Sequence, residues 1–319
     1  MTSAPPDPRR GSPDDAGFTL VELLVSVAIL MAVSGLMMRG TLDMSRLGAQ
    51  QSNRSEMHAG VRNATALLQQ EVGQAGRVAL PAAASLQGAV TAVGNQWRTV
   101  TPSVAGMFAG LRLVVGLGDT QEIVQVLEVN TGTNQIRANF TALHAAGSRL
   151  APAGGFAEGI IPTTRTNGST ASVLKIVGDV NSDGNMVYVE YTCDWVAGRM
   201  FRNMMPYGAA SKPALTVEKV LLDNLLPNPP NPGGAVPPCF TYEQRTIGAN
   251  TYVINVAIMT TVRTHDRDII TRQFQTVTKA LLNVAPRNVF HVWQIASLGY
   301  SNRIQPLPAT VVNLIAPLN

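Results

Sequence analysis

The stretch FTLVELLVSVAILMAVSGLMM, Phe18 to Met38, is 21 residues long and carries one ionisable side chain, Glu22. As a helix rising 1.5 Å per residue it spans about 31 Å, close to a hydrocarbon core of about 30 Å. It can cross a membrane once. No second apolar run reaches about 18 residues, which excludes a multi-pass channel or transporter. A cleaved secretory signal usually has an apolar core of about 7–15 residues and a small-x-small cleavage site. This run is longer, and no such site follows it. Arg9 and Arg10 precede the span while Arg39, Arg46 and Arg54 follow it, so the Lys/Arg count alone leaves the orientation open. Glu22 costs roughly 2.5–3.5 kcal/mol at mid-bilayer and asks for a partner there, whereas near the end of the span it can reach the interface.

Composition narrows the class. Of 319 residues, 45% are hydrophobic and 14% charged, with a formal charge of +4. That excludes a disordered chain, which lacks the apolar material for a core. The length allows two domains or one elongated domain with an appendage. The 24 basic residues never form a run of five, so no nucleic-acid partner is expected.

The flanks of the apolar run add specificity. Gly17-Phe18-Thr19-Leu20-Val21-Glu22, after a short polar leader, resembles the processing signature of type IV pilins and pseudopilins. The resemblance implies that a prepilin peptidase cuts after Gly17 and methylates the new amine of Phe18. It also implies a cytoplasmic N-terminus, and pairing of Glu22 with the N-terminal ammonium of a neighbouring subunit. Such pairing is physically reasonable, because an unpaired carboxylate in an apolar filament core costs several kcal/mol more. Without residues 1–17 the chain has 22 basic and 17 acidic residues, a net +5.

Beyond Met38 no proline interrupts the chain until Pro81. Met57, Val61, Ala64, Leu68, Val72 and Ala75 recur at spacings of three and four, one apolar stripe of a helix predicted over 18–76. Gly35, Gly40 and Gly48 each weaken it by up to about 1 kcal/mol relative to Ala. From Pro81 to about Gly110 the sequence predicts an irregular connection. Val/Ile/Thr-rich runs then predict strands over 111–115, 122–129, 172–177, 187–192, 251–262 and 269–282. Short turns such as Gly116-Leu117-Gly118-Asp119 and His265-Asp266-Arg267-Asp268 suit hairpins and a mainly antiparallel sheet. The chain thus reads as an α+β fold. Its expected parts are a leader (1–17), a transmembrane segment (18–38), an amphipathic helix remainder (39–80), a β-rich head (81–288) and a C-terminal tail (289–319).

Three patches resemble motifs of PilW-type minor pilins: Gln74-Ala75-Gly76; Tyr191 followed by Gly198-Arg199-Met200-Phe201-Arg202; and Pro286-Arg287-Asn288. Arg202 and Arg287 are expected to act structurally, through the planar guanidinium, on carboxylates or carbonyls. The resemblance places Cys193 and Cys239 outside the cytoplasm, where disulfides persist. A disulfide or two buried thiols are both open, and the proline-rich loop between them, Pro227 to Gly234, needs a tether.

Asp179, Asn181, Asp183, Asn185 and Glu190 fit the calcium-loop pattern D-x-[DN]-x-[DN]-G-x5-E, which makes Ca2+ a candidate ligand. Both flanks read as strands, however, and an extended 187–192 carries Glu190 about 16 Å beyond Asn185. A hairpin turn built on Asp, Asn and Gly is the competing reading. His58, His144, His265 and His291 are isolated, and no nucleophile elbow or phosphate loop occurs, so no enzyme is expected. The resemblance implies an inner-membrane subunit with a periplasmic head, which joins other minor pilins and the major pilin to initiate or cap a pilus. A minor pseudopilin of a type II secretion system and a pilus-associated adhesin or DNA-uptake subunit are the alternatives.

Overall fold

A computed structural model of the chain describes residues 19–269 and 271–317. They form two compact units, with the division after Asn53. The first unit is the leading part of α1 (Leu20–Gln74), in which residues 19–49 are exposed throughout. Among the described residues, α1 is the one helix long and apolar enough to cross a membrane.

The second unit begins with the rest of α1 and continues as a mainly antiparallel β-rich head. The apolar stripe faces inward as its spacing predicts: Val61, Ala64, Leu68, Val72 and Ala75 are buried and Met57 is half-buried against them. Fully burying a Val or Leu side chain contributes about 1.5–3 kcal/mol, so this face contributes several kcal/mol to holding the helix against the head.

Residues 81–110 are not an irregular connection: they hold the first two strands of a barrel. Strands β1 (Ala84–Leu86), β2 (Gly94–Thr101), β3 (Arg112–Val115), β4 (Glu122–Asn130), β5 (Gln135–Phe140) and β6 (Arg149–Pro152) close into a barrel in the order β1-β2-β5-β4-β3-β6. Its interior holds Leu86, Val100, Leu113, Val124, Ile136 and Phe140. β2 escapes a sequence reading because the inward side of its first half carries Gln96 and Arg98, so no apolar alternation marks it.

After β7 (Gly155–Phe156) the chain forms a second sheet from β8 (Val173–Gly178), β9 (Val187–Asp194), β10 (Arg199–Pro206) and β11 (Val220–Asp223), in the order β11-β10-β9-β8. A third sheet joins β12 (Leu225–Leu226), β13 (Phe240–Ile247), β14 (Asn250–Arg263) and β15 (Thr276–Val284) around the long β14. The helix stripe packs on side chains from both of these sheets, among them Ile176, Val189, Tyr191, Val253 and Ile258.

β15 begins at Thr276, not at Ile269. Before it, the Asp268 carboxylate accepts the Thr271 N–H at 2.9 Å and the Gln275 amide at 2.7 Å, which fixes a loop instead of a strand.

The segment after β15, read from sequence as a tail, is part of the head. Helix α2 (Arg287–Ser297) buries Val289 and Val292 against Ala157 and Tyr252. β16 (Ile304–Gln305) pairs in parallel with β7, and α3 (Ala309–Ile315) buries Val311, Leu314 and Ile315 beside Phe156 and Tyr188. The Gln305 side chain completes the attachment: it accepts the Arg112 N–H at 2.8 Å and donates to the carbonyls of Arg112 and Ala153. A buried amide with three partners does for the barrel edge what a further strand residue would do.

Candidate functional site: the processing segment and the helix anchor

The predicted cleavage pair Gly17-Phe18 lies outside the described residues. Immediately after it, Thr19 caps the helix: the Glu22 N–H donates to Thr19 Oγ1 at 3.2 Å, the Thr-x-x-Glu spacing of a capping box. Glu22 therefore sits in the first turn of α1, where a carboxylate favours the positive helix end, and it is exposed.

At the other end the three sequence patches converge. α1 ends at Gln74, and Gly76 adopts φ +81°, the left-handed conformation that glycine tolerates. A side chain at Gly76 would meet Val289 Cγ2 at 2.8 Å, and one at Gly159 would lie 2.2 Å from the Gly76 backbone. Backbone bonds then sew the exit in place: Gly76 N–H to Val177 O at 2.8 Å, Phe156 N–H to Gly76 O at 2.9 Å, and Asp179 N–H to Arg77 O at 2.9 Å. Asn288 adds a side-chain bond, donating at 3.1 Å to the Gln74 carbonyl of the helix end, which also accepts the Arg77 N–H at 3.1 Å.

One turn earlier, Glu71 is fully buried on the same face as Leu68. Tyr191 Oη donates to it at 2.5 Å, Arg202 Nε donates at 3.1 and 3.3 Å, and Arg202 Nη2 donates as well. Tyr191 and Arg202 are directly opposite each other across β9 and β10, so the sheet register presents both to the helix. Burial works against the Arg202 charge, but the hydrogen bonds and charge of Glu71 more than offset it and hold its pKa above the ordinary value. Burial and the same carboxylate push the Tyr191 hydroxyl up, keeping it a neutral donor. Sequence reading flags Tyr191 and Arg202 but passes over Glu71. The available signal is its place three residues after Leu68, where an acid on an apolar stripe demands a buried partner.

Cys193 and Cys239 are bonded, with Cα atoms 6.6 Å apart. The bridge joins the end of β9 to the residue before β13, linking the second sheet to the third, and closes a 46-residue loop worth up to about 4 kcal/mol on the chain-entropy account. Asn228, which sequence reading also missed, tethers the proline-rich loop inside it. Its amide nitrogen lies 3.0–3.2 Å from the carbonyls of Pro237, Pro238 and Met259, and its Oδ1 accepts from Thr261.

The structure separates Glu190 from the other candidate calcium ligands. Asp179 is buried, accepts the N–H groups of Asp183 and Gly184 at 3.0 and 3.2 Å, and pairs with Arg77 at 3.4 Å. Asp183 accepts the Asn185 N–H at 2.8 Å, and Asn181 lies between these two carboxylates in the loop. Glu190 is within β9, three residues or about 10 Å along the strand from its start. There it accepts from Tyr188 and from Lys212, both at 2.8 Å, with Lys175 at 3.8 Å. Among the described residues no group of three His, Cys, Asp or Glu side chains is placed to hold a metal ion. Of the histidines, buried His144, between β5 and β6, meets Glu122 of β4 at 2.7 Å.

Comparison with known proteins bears on the first of these features. Residues 13–38 match the prokaryotic N-terminal methylation motif. The chain carries a type IV pilin-like prepilin signal. Such a signal implies processing by prepilin peptidase and association with a membrane, and the proteins that bear it are structural. No curated protein and no solved structure matches the chain.

Proposed function

We propose that this chain is a PilW-like minor pilin of a type IV pilus, a structural subunit held in the inner membrane by α1 with its head in the periplasm. Prepilin peptidase cuts after Gly17 and methylates Phe18. The mature subunit then joins other minor pilins and the major pilin to initiate or cap the filament. The observation that carries this reading is the methylation motif over residues 13–38, running directly into a helix whose far part is locked into a β-rich head. The meeting of all three PilW-like patches at one junction supports the finer assignment. The chemistry asked of the subunit is mechanical: an exposed apolar helix seeks apolar neighbours, and Glu22 in its first turn seeks a cation.

A deletion strain tests this. Loss of surface pili with protein secretion intact is the expected result. Normal pili with secretion lost moves the chain to the secretion pseudopilus, and normal pili with failed attachment or DNA uptake makes it an accessory binding subunit.

A further inference from the structure

The anchor that holds the helix end leaves one cation unused. Within the head, Arg77, Arg137, Arg165, Arg199, Arg202 and Arg245 each pair with a carboxylate. Arg287, in the first turn of α2, has no hydrogen bond or ion pair from its side chain among the described residues, as is also true of Arg149, Arg272 and Arg303, but it alone of these stands beside the helix end, next to Asn288.

Arg287 instead lines a groove of about 520 Å³ between α1 and the end of β15. The helix wall is Ala66, Gln69, Gln70, Gly73 and Gln74, and the sheet wall is Asn283, Val284 and Ala285. Four of these are amide side chains and none is acidic, so the groove offers hydrogen bonds around one positive charge with nothing to neutralise it. Glu71, on the same stretch of helix, is turned to the opposite side and consumed by Arg202 and Tyr191. The helix wall is also low: a side chain added at Gly73 would meet nothing within 4 Å.

The sheet wall says what kind of group fits. Among the described residues β15 pairs only with β14, so its other edge presents free backbone donors and acceptors next to the groove. An open strand edge takes an extended polypeptide, and a guanidinium fork takes a carboxylate.

We propose that this groove docks an extended segment of another subunit of the same assembly, with an Asp or Glu of that segment held by Arg287. The inference rests on the minor-pilin reading, because it needs a second subunit beside the head. The amides of Gln70, Gln74 and Asn283 orient the segment, and Arg287 selects against segments without an acid, since an unmet guanidinium in a filled groove costs a strong hydrogen bond.

The test places a photo-crosslinking residue at Gln70 of the full chain in pilus-forming cells and identifies the crosslinked peptide by mass spectrometry. The proposal expects adducts to an acid-bearing segment of a different subunit. Arg287→Glu should lower their yield about tenfold or more, and a carboxylate-to-lysine exchange in that segment should restore it. Arg287→Lys keeps the charge and should keep much of the yield. Because Arg287 is exposed, Arg287→Glu should melt with the wild type; if it does not, Arg287→Gln serves in its place. Adducts to lipid alone, to a second copy of this chain, or to no protein overturn the proposal, as does an Arg287→Glu yield equal to wild type. Those failures stand apart from failure of the pilus reading, which appears as unchanged pili in the deletion strain.

Discussion

The two parts of α1 meet their surroundings in opposite ways. Leu20, Leu24, Ile29, Leu30 and Met31 are each more than half exposed, whereas Val61, Leu68 and Val72 are at most 4% exposed. Both are apolar, and the second buries its apolar face within the head: the stripe meets two sheets, and Glu71 meets Arg202 and Tyr191. The first part has a cap at Thr19 and an acid at Glu22, and its residues 19–49 are exposed among the described residues. A run of exposed Leu, Ile and Met this long is stable only in lipid or against other helices. The difference therefore divides one helix into a part built for external partners and a part built for the head.

The largest effect should come from breaking the ionic anchor. Arg202→Ala leaves a buried carboxylate unpaired and should cost the head about 3–5 kcal/mol in denaturant unfolding. Replacing Glu71 and Arg202 together by methionine should cost much less, because no charge is then stranded. Equal losses for both variants would mean that the apolar stripe, not the ion pair, decides how the helix is held.

The next contrast sets one leucine from each part side by side. Leu68→Ala should destabilise the head by about 2–5 kcal/mol, as a buried large-to-small change does. Leu24→Ala should leave head unfolding of the full chain in detergent unchanged while weakening assembly into filaments. A shared loss of head stability would erase the proposed division.

A smaller effect belongs to the barrel. Burial raises the Glu122 pKa, but bonds from the Thr141 hydroxyl, His144 and the N–H groups of Thr141 and Ala142 win and hold it below its ordinary value of 4.5. A carboxylate depressed in the folded state stabilises above its unfolded pKa, and the contribution is lost as pH falls through the folded value. Glu122→Gln should therefore flatten the acid side of the stability curve below about pH 4.5, compared by thermal melting against wild type. Smallest of all should be the response to calcium. With Asp179 holding two N–H groups and Arg77, and Glu190 held by two lysines, the melting temperature should be the same in calcium and in chelator. A clear rise with calcium would return the 179–190 segment to a metal site.

Much of this was legible in the sequence where the signal is local. Spacings of three and four named every apolar residue of the stripe, two cysteines allow one intramolecular bridge, and Gly116 to Asp119 does join β3 to β4. What stayed hidden depends on distant pairing. β2 has no apolar alternation and gains its place from β5, whose paired residues lie 36 to 46 positions further along the chain. The terminal segment has a short helix and a two-residue strand that acquire meaning only against β7 and the barrel. Glu71 and Arg202 are 131 residues apart, and only the register of β9 with β10 brings Tyr191 to the same carboxylate.

The central claim, that this is a prepilin-type subunit whose leading helix is made for partners outside the chain, is tested most directly at the N-terminus of the protein recovered from its own cells. Mass spectrometry of the N-terminal peptide, with and without an active prepilin peptidase, should find a methylated amine on Phe18 in the first case and the uncut chain in the second. Cleavage at another position, or retention of residues 1–17 in cells with active peptidase, would contradict the account.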